Sequence, residues 1–374
     1  MNEIELSGID GVNPLGFLAA LGTLVTLHEA GEREARLAWR RQYTWVPVLH
    51  GSQATDPKTL AARLQVVLQG QPVDPEKENR RGETQKAFEQ AKKKAADKAK
   101  EIAKRKLKGK EREAAIETEL RPLEEEREQK RCEWLAALKE AAPSPELALG
   151  KRPDCSPEEF REHAQSFFRE ADCNHRKAID QLAAFGSDAC LKKEADTIEP
   201  TPFCFITGSG QQWFLDTVRQ LMGCVTVERI QRTLFDRWTY ADRKLSMRWD
   251  PIEDRQYALM DADPSSEPAR AEWMANLLAY RALVLFPCVP TRRGLGTTGW
   301  SASDGQSLFT WPIWQHPASP DTIRSLLQLA QLYREKVDAA ALRPRGIAAI
   351  FRARRIKVGV GANFKLNFSP ARAV

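Results

Sequence analysis

Missing from the 374-residue sequence are the closely spaced ligands and nucleophile motifs with which most enzymes hold a reactive centre. No glycine–Lys–Ser/Thr phosphate cradle occurs, and no G-x-S-x-G. The five histidines (His28, His50, His163, His175, His316) do not cluster in sequence, so no general base stands out. Seven cysteines (Cys132, Cys155, Cys173, Cys190, Cys204, Cys224, Cys288) are scattered and never form C-x-x-C. Cys155, Cys173, His175 and Cys190 contain one tight pair where structural zinc usually takes two. No apolar run approaches the ~18 residues needed to span a bilayer. The opening MNEIELSGIDGVNPLG has no basic segment before an apolar one, as a secretory signal would. Together these absences predict a cytoplasmic protein without catalytic residues, bound metal or cofactor, its cysteines serving as small buried hydrophobes.

Charge is present in abundance. Charged residues make up 29% of the chain and the net charge is +6, unevenly placed: Leu342–Val374 holds eight basic residues and no acidic one. Such asymmetry suits a polyphosphate partner, although a solvated basic tail would look the same.

Periodicity predicts an α+β fold, with a mixed β-sheet core, helices, an inserted charged helical hairpin and a helical region towards the C-terminal half. Residues 1–73 read as the N-terminal part of the core. Ile4 and Leu6 mark a strand, Leu15 to Leu27 recur at helical spacing, and Leu37, Trp39, Trp45 and Val46 mark further strands. Residues 74–142 carry a lysine-rich arm and then a glutamate-rich arm, with Gly109 and Pro122 as breakers, which predicts a hairpin neutralised by its own pairing. It is either a lever for nucleic acid or a neighbouring subunit, or a solvated insertion without a partner.

Residues 143–242 read as mainly helical, with a capping box at Ser156 and Glu159. Within this region PFCFITGSG suggests a short strand feeding a Gly-Ser-Gly turn around Ser209. Residues 243–374 read as an α/β region: a helix before Leu285, a strand at LFPCVP, an edge strand at FTWPIW because of Pro312, and a helix over Asp321–Leu342. A basic strand pair around Gly359 and Gly361 would close the chain.

Asp250, Glu253, Asp254, Asp261 and Asp263 have the composition of a two-metal nuclease site. They lie in a Pro-broken loop beside Arg248 and Arg255, which favours local pairing and turn capping. The segment TRRGLGTTGW says more. Arg292 and Arg293 could fork onto phosphates or guanine edges, glycines permit close approach, and Thr297 and Thr298 add hydroxyls. A plain hairpin turn with surface arginines is the alternative. The other candidate nucleic-acid contacts are Lys244, Arg248, Arg352, Arg354, Arg355, Lys357 and Lys365.

Six phrases occur in order: NPLGFLAALG (Asn13–Gly22), RWDPIEDRQYAL (Arg248–Leu259), YRALVLFPCVPTRR (Tyr280–Arg293), TTGW (Thr297–Trp300), FTWPIW (Phe309–Trp314) and IRSLLQL (Ile323–Leu329). In this the chain resembles the large-subunit family of type I-G (formerly I-U) CRISPR effector complexes, over roughly a quarter of its length; residues 74–140 match no part of the pattern. The resemblance implies a non-enzymatic subunit of a Cascade-like surveillance complex. It would sit at the 5′ handle of the crRNA beside the backbone and handle subunits. From there it would inspect the protospacer-adjacent motif (PAM) of target DNA, help open the duplex and present it to a helicase-nuclease. Two other functions stay open: a CRISPR repeat-RNA endoribonuclease, suggested by KVGVGANFK, and a structural adaptor without direct nucleic-acid contact.

Overall fold

The structure is a computed structural model and describes residues 2–169, 171–172, 176–193, 195–206, 212–253, 270–358 and 364–374. The chain divides into two compact units, Met1–Gly70 with Lys151–Val374, and Gln71–Gly150. Both helices and small sheets are present, so the class is α+β.

In the larger unit, β1 (Glu3–Glu5), α1 (Pro14–Glu29), β2 (Arg36–Arg41), β3 (Trp45–His50) and α2 (Pro57–Leu68) come first. In the smaller unit lie α3 (Pro75–Lys104), α4 (Gly109–Ala115) and α5 (Arg121–Ala141). The larger unit resumes with α6 (Pro157–Phe168), α7 (Lys177–Ala183), β4 (Gly186–Leu191), β5 (Ile198–Pro200), α8 (Phe214–Met222) and α9 (Val227–Phe235). Next are β6 (Asp242–Arg243), β7 (Arg270–Ala271), α10 (Trp273–Arg281), β8 (Cys288–Thr291), β9 (Gly294–Thr297), β10 (Trp300–Ser303) and β11 (Gln306–Trp314). The chain ends on α11 (Pro320–Leu327), α12 (Ala339–Leu342), β12 (Ile347–Val358), β13 (Lys365–Phe368) and β14 (Arg372–Ala373).

Helix α1 is the axle of the larger unit. Asn13 starts it, its side chain accepting from Leu15 N at 2.8 Å, and Pro14 supplies a preset φ in the first turn. Apolar residues surround the helix on all sides, so it is buried. A Cβ at Gly22 would lie 1.7 Å from the carbonyl oxygen of Leu278, so α1 and α10 cross backbone against backbone. On another side Phe17 stacks at 5.8 Å on both Trp39 and Trp311, and meets Trp314 edge-on at 6.4 Å.

Two sheets flank this helix. One has the order β1-β3-β2; the other runs β10-β11-β12-β13, with β14 added on β12. Leu37 and Ala318 exchange backbone hydrogen bonds of 2.9 Å, and Trp314 donates to Leu37 O at 2.8 Å, which ties the sheets together. Every pairing among the described residues is antiparallel, not mixed as expected. Short connections join most of these partners, and a parallel pair would need a long crossover.

Three local expectations change. Asp321–Leu342 is not one helix: α11 stops at Leu327, a 3-10 turn occupies Ala330–Tyr333, and α12 is separate. Packing overrides periodicity there, because Leu332 and Leu342 must both reach Ile347 and Ile350. Phe203–Ile206 is buried coil and not a strand. Phe203 sits among Trp249, Phe286, Trp300 and Phe309, and its carbonyl is satisfied by Trp249 Nε1 at 3.0 Å. Finally, β11 is an edge only in part. Its first half lies between β10 and β12. Thr310 N donates to Gly299 O on the β10 side, and Pro312 faces that side two residues on, past the end of β10.

The smaller unit is a helical hairpin. Phe88 stacks on Trp134 at 5.4 Å, and Ala91, Ala95, Ile102, Ala137 and Leu138 fill a narrow seam. Ion pairs cross between the arms: Arg80–Glu140 (3.3 Å), Lys94–Glu126 (3.6 Å), Lys98–Glu119 (3.7 Å) and Arg105–Glu119 (2.6 Å). One π turn, Ile116–Leu120, precedes Pro122, whose ring and missing N–H disrupt a regular helix.

No helix among the described residues is long and apolar enough to cross a membrane.

Candidate nucleic-acid interface

Strand alternation divides the basic C-terminal run between two faces. Successive side chains of β12 point to opposite sides, so Arg352 and Arg354 cannot share a face with Arg355 and Lys357. Arg352, Arg354 and Ile356 line a groove of about 450 Å³ with Leu308 of β11 and Arg372 of β14. Ser303, Asp304, Gln306 and Glu335 are among the other lining residues.

Arg352 is anchored without being neutralised. Its guanidinium donates to Thr310 Oγ1 (3.0 Å) and to the carbonyls of Leu332 (3.2 Å), Arg334 (2.8 Å) and Glu335 (3.3 Å). These acceptors are neutral, so the charge is fixed in place and still acts on the groove. Burial lowers its pKa from the ordinary guanidinium value, which leaves it cationic in water at any physiological pH. Arg372 lies directly across from Arg352 in the β12–β14 register. Like charges opposed in this way are unfavourable by themselves. Arg354 is exposed; its backbone, not its side chain, is held by Ser369. Among the described residues no carboxylate pairs with Arg352, Arg354 or Arg372. Three cations thus share this open face, with the carboxylates of Asp304 and Glu335 also in its lining.

Arg355 belongs to the opposite face. It donates to Pro202 O and Ser307 Oγ, both at 3.3 Å, and lies 5.8 Å over the Trp300 ring. Burial lowers its pKa, and the side chain clamps the sheet to the Phe203 coil. Arg355 is half-buried and takes part in packing, on the face opposite Arg352 and Arg354. Lys357 rests 4.6 Å over Phe364. Lys365 is exposed, its pKa lowered by local desolvation and then by the nearby positive charge of Arg248. The structure thus brings Lys365 near Arg248, and the β12–β13 register sets Lys365 opposite Val358.

Lys244 and Arg248 sit on a strained segment. Tyr240 (φ 54°), Lys244 (φ 62°), Leu245 (φ 47°) and Arg248 (φ 61°) are all left-handed without being glycine. Buried groups hold it so: Glu272 accepts from Thr239 N (2.9 Å) and Tyr240 N (2.7 Å), and Asn276 accepts from Met247 N (2.8 Å). Such overdetermined strain is common where side chains must be presented in fixed positions.

Arg292 and Arg293 form the two-residue turn between β8 and β9, both exposed. Gly294 takes φ 109° to close it, and Thr291 Oγ1 donates to Gly294 O at 2.7 Å. The two threonines differ in setting. Thr297 is buried against Cys288 Sγ at 3.2 Å, and Thr298 Oγ1 accepts from Gln328 at 2.8 Å. The β8–β9 pairing buries Thr297, whereas Thr298, just past β9, is half-buried.

The acidic loop gives no metal site that can be described. Asp254, Asp261 and Asp263 lie outside the described residues, as do Cys173, His175, Gly208, Ser209, Gly210, Gly359 and Gly361. Asp250 is buried and structural: it accepts from Asn13 Nδ2 (3.0 Å), Tyr240 Oη (2.9 Å) and Ile252 N (3.0 Å). Burial raises its pKa above the ordinary carboxylate value. Among the described residues no three His, Cys, Asp or Glu side chains converge as metal ligands do. Burial also pushes the Cys204 thiol up to about 12 and that of Cys288 up to about 11, which makes both poor nucleophiles.

Arg372 is the groove residue that sequence reasoning did not single out. It counts in the basic tail, but its position opposite Arg352 depends on a strand register that the local pattern does not reveal. Comparison of the chain with protein-family models, curated proteins and solved structures gives no match.

Proposed function

We propose that this chain is a non-enzymatic, nucleic-acid-binding subunit of a cytoplasmic crRNA-guided complex, in the position of a type I-G large subunit. The arginine face formed by Arg352, Arg354 and Arg372 carries the reading: guanidinium groups gathered on an open sheet without pairing carboxylates, one of them locked by neutral acceptors. Backbone phosphates of crRNA or target DNA satisfy that arrangement without any catalytic group.

The phrases behind the family resemblance support it from a second side, because residues in them meet in the fold. Asn13 bonds Asp250, Phe17 stacks on Trp311, and Thr298 bonds Gln328. They are the joints of a fold, and the reading transfers a fold-dependent role, with the exposed basic turn at Arg292–Arg293 as the candidate reader of a short duplex motif.

Expression of the chain with its neighbouring genes tests the proposal. A defined small RNA should co-purify with a multi-subunit complex that contains this chain. With Mg²⁺ or Mn²⁺ the isolated chain should cut neither DNA nor repeat RNA. Specific cleavage of repeat RNA by the isolated chain would establish the endoribonuclease reading instead. A complex that assembles without any nucleic acid, indifferent to salt, would establish the adaptor.

A further inference from the structure

The ion pairing that neutralises the helical hairpin stops short of its tip. The last cross-arm pair is Arg105–Glu119 at 2.6 Å. At and beyond it the turn joining α3 to α4 carries a run of cations: Lys104, Arg105, Lys106, Lys108, Lys110 and Arg112, against only Glu111 and Glu113 between positions 104 and 113. Of these cations Arg105 alone is paired with a carboxylate among the described residues. All six are exposed. Below them Ile102 and Ala115 are buried and close the apolar seam, so the tip is held by packing at its base. Lys106 (φ 50°) and Gly109 (φ 48°) reverse the chain, so the lysines radiate from one turn.

We propose that this tip is a second, sequence-independent contact for the phosphate backbone of a nucleic acid, separate from the arginine face and resting on the same nucleic-acid-binding reading. The chemistry separates phosphates from an acidic protein. A protein interface needs an apolar centre inside its polar rim. The tip offers only the half-buried Leu107 and no aromatic residue. Lysine is a hydrated point charge on a flexible stem, which suits loose contact with successive phosphates better than fixed bidentate recognition. In the arms several such residues pair with each other across the seam, whereas among the described residues the tip lysines pair with no carboxylate; mobile counter-ions gather there, and their release drives association.

The test uses the full chain, labelled duplex DNA and single-stranded RNA without a common sequence, and anisotropy titrations over a range of salt. Lys106→Ala, Lys108→Ala and Lys110→Ala are combined, with Lys→Arg at the same positions as a charge-retaining control and circular dichroism to check helicity. The alanine variant should lower the slope of log K against log salt by up to about 2.7 for duplex and about 2.1 for single strands, at about 0.9 and 0.7 per phosphate contact. All sequences should weaken alike, and the arginine variant should behave as the parent. An unchanged slope in a folded alanine variant overturns the tip contact. If Arg354→Ala with Arg372→Ala still weakens binding in that case, the arginine face stands without the tip. If the tip variant weakens binding and the face variant does not, the tip stands and the face falls. Loss of binding to polyglutamate with nucleic-acid binding intact would make the tip a protein contact and refute the proposal.

Discussion

The two units hold themselves together in opposite ways. The larger one stacks Phe17, Trp39, Trp311 and Trp314 around a buried helix and ties its loops with buried carboxylates such as Asp250 and Glu272. The hairpin buries mostly alanine, with Trp134, Leu138 and Ile102 as its larger apolar anchors, and laces its exterior with exposed ion pairs. In the first, stability resides in shape, where small changes of volume are felt sharply. In the second it resides in helix propensity and screened charge, where single contacts matter little. The same alphabet of charged residues therefore means different things: buried and fixed in one unit, solvated and interchangeable in the other.

Two glycines put this contrast at its widest. Gly22→Ala drives a methyl group into the Leu278 carbonyl and must separate α1 from α10. We expect a loss of about 3 kcal/mol or more, at the upper end for overpacking, seen in urea unfolding of the full chain. Gly82, inside α3, has nothing within 4 Å of an added Cβ. Gly82→Ala should instead stabilise the hairpin by about 1 kcal/mol, through helix propensity.

The buried carboxylate comes next. Asp250→Ala leaves Asn13 Nδ2 and Tyr240 Oη without their acceptor and should cost about 1–3 kcal/mol. Asp250→Asn keeps the shape and removes the charge. Because burial raises the folded pKa of Asp250, its favourable contribution is complete below the ordinary carboxylate range and is lost as pH rises through the raised value. The stability of Asp250→Asn relative to the parent should therefore improve from pH 4 towards pH 7, read by unfolding at each pH; a constant difference would contradict the burial argument. The smallest effect belongs to Lys94 and Glu126, 3.6 Å apart on the hairpin exterior. A double-mutant cycle should give less than about 0.5 kcal/mol, vanishing in 1 M salt.

Local features were legible in the sequence. The capping box at Ser156 and Glu159 is present with both bonds, at 3.2 and 3.1 Å, because its determinants lie within one turn. The opening strand–helix–strand order and the C-terminal strand pair follow from periodicity in the same way. What could not be read depends on distant partners. Arg352 and Arg355 look alike in the run FRARR, yet one is anchored beside an open groove by carbonyls near Arg334 and the other is clamped to Pro202. Arg372 joins the groove only through its register with Arg352. Phe203 reads as a strand residue from its apolar run, yet its carbonyl accepts from Phe205 N and from the side chain of Trp249, far along the chain.

The arginine face is the centre of the functional account, and a salt titration addresses it directly. Binding of duplex DNA should be measured for the assembled complex with the parent chain and with Arg354→Ala and Arg372→Ala combined, the two exposed members of the face. The account predicts a slope of log K against log salt lower by about 1.8, two contacts at about 0.9 each, with every target sequence weakened equally. An unchanged slope and affinity, in a variant that folds and assembles as the parent does, would contradict it.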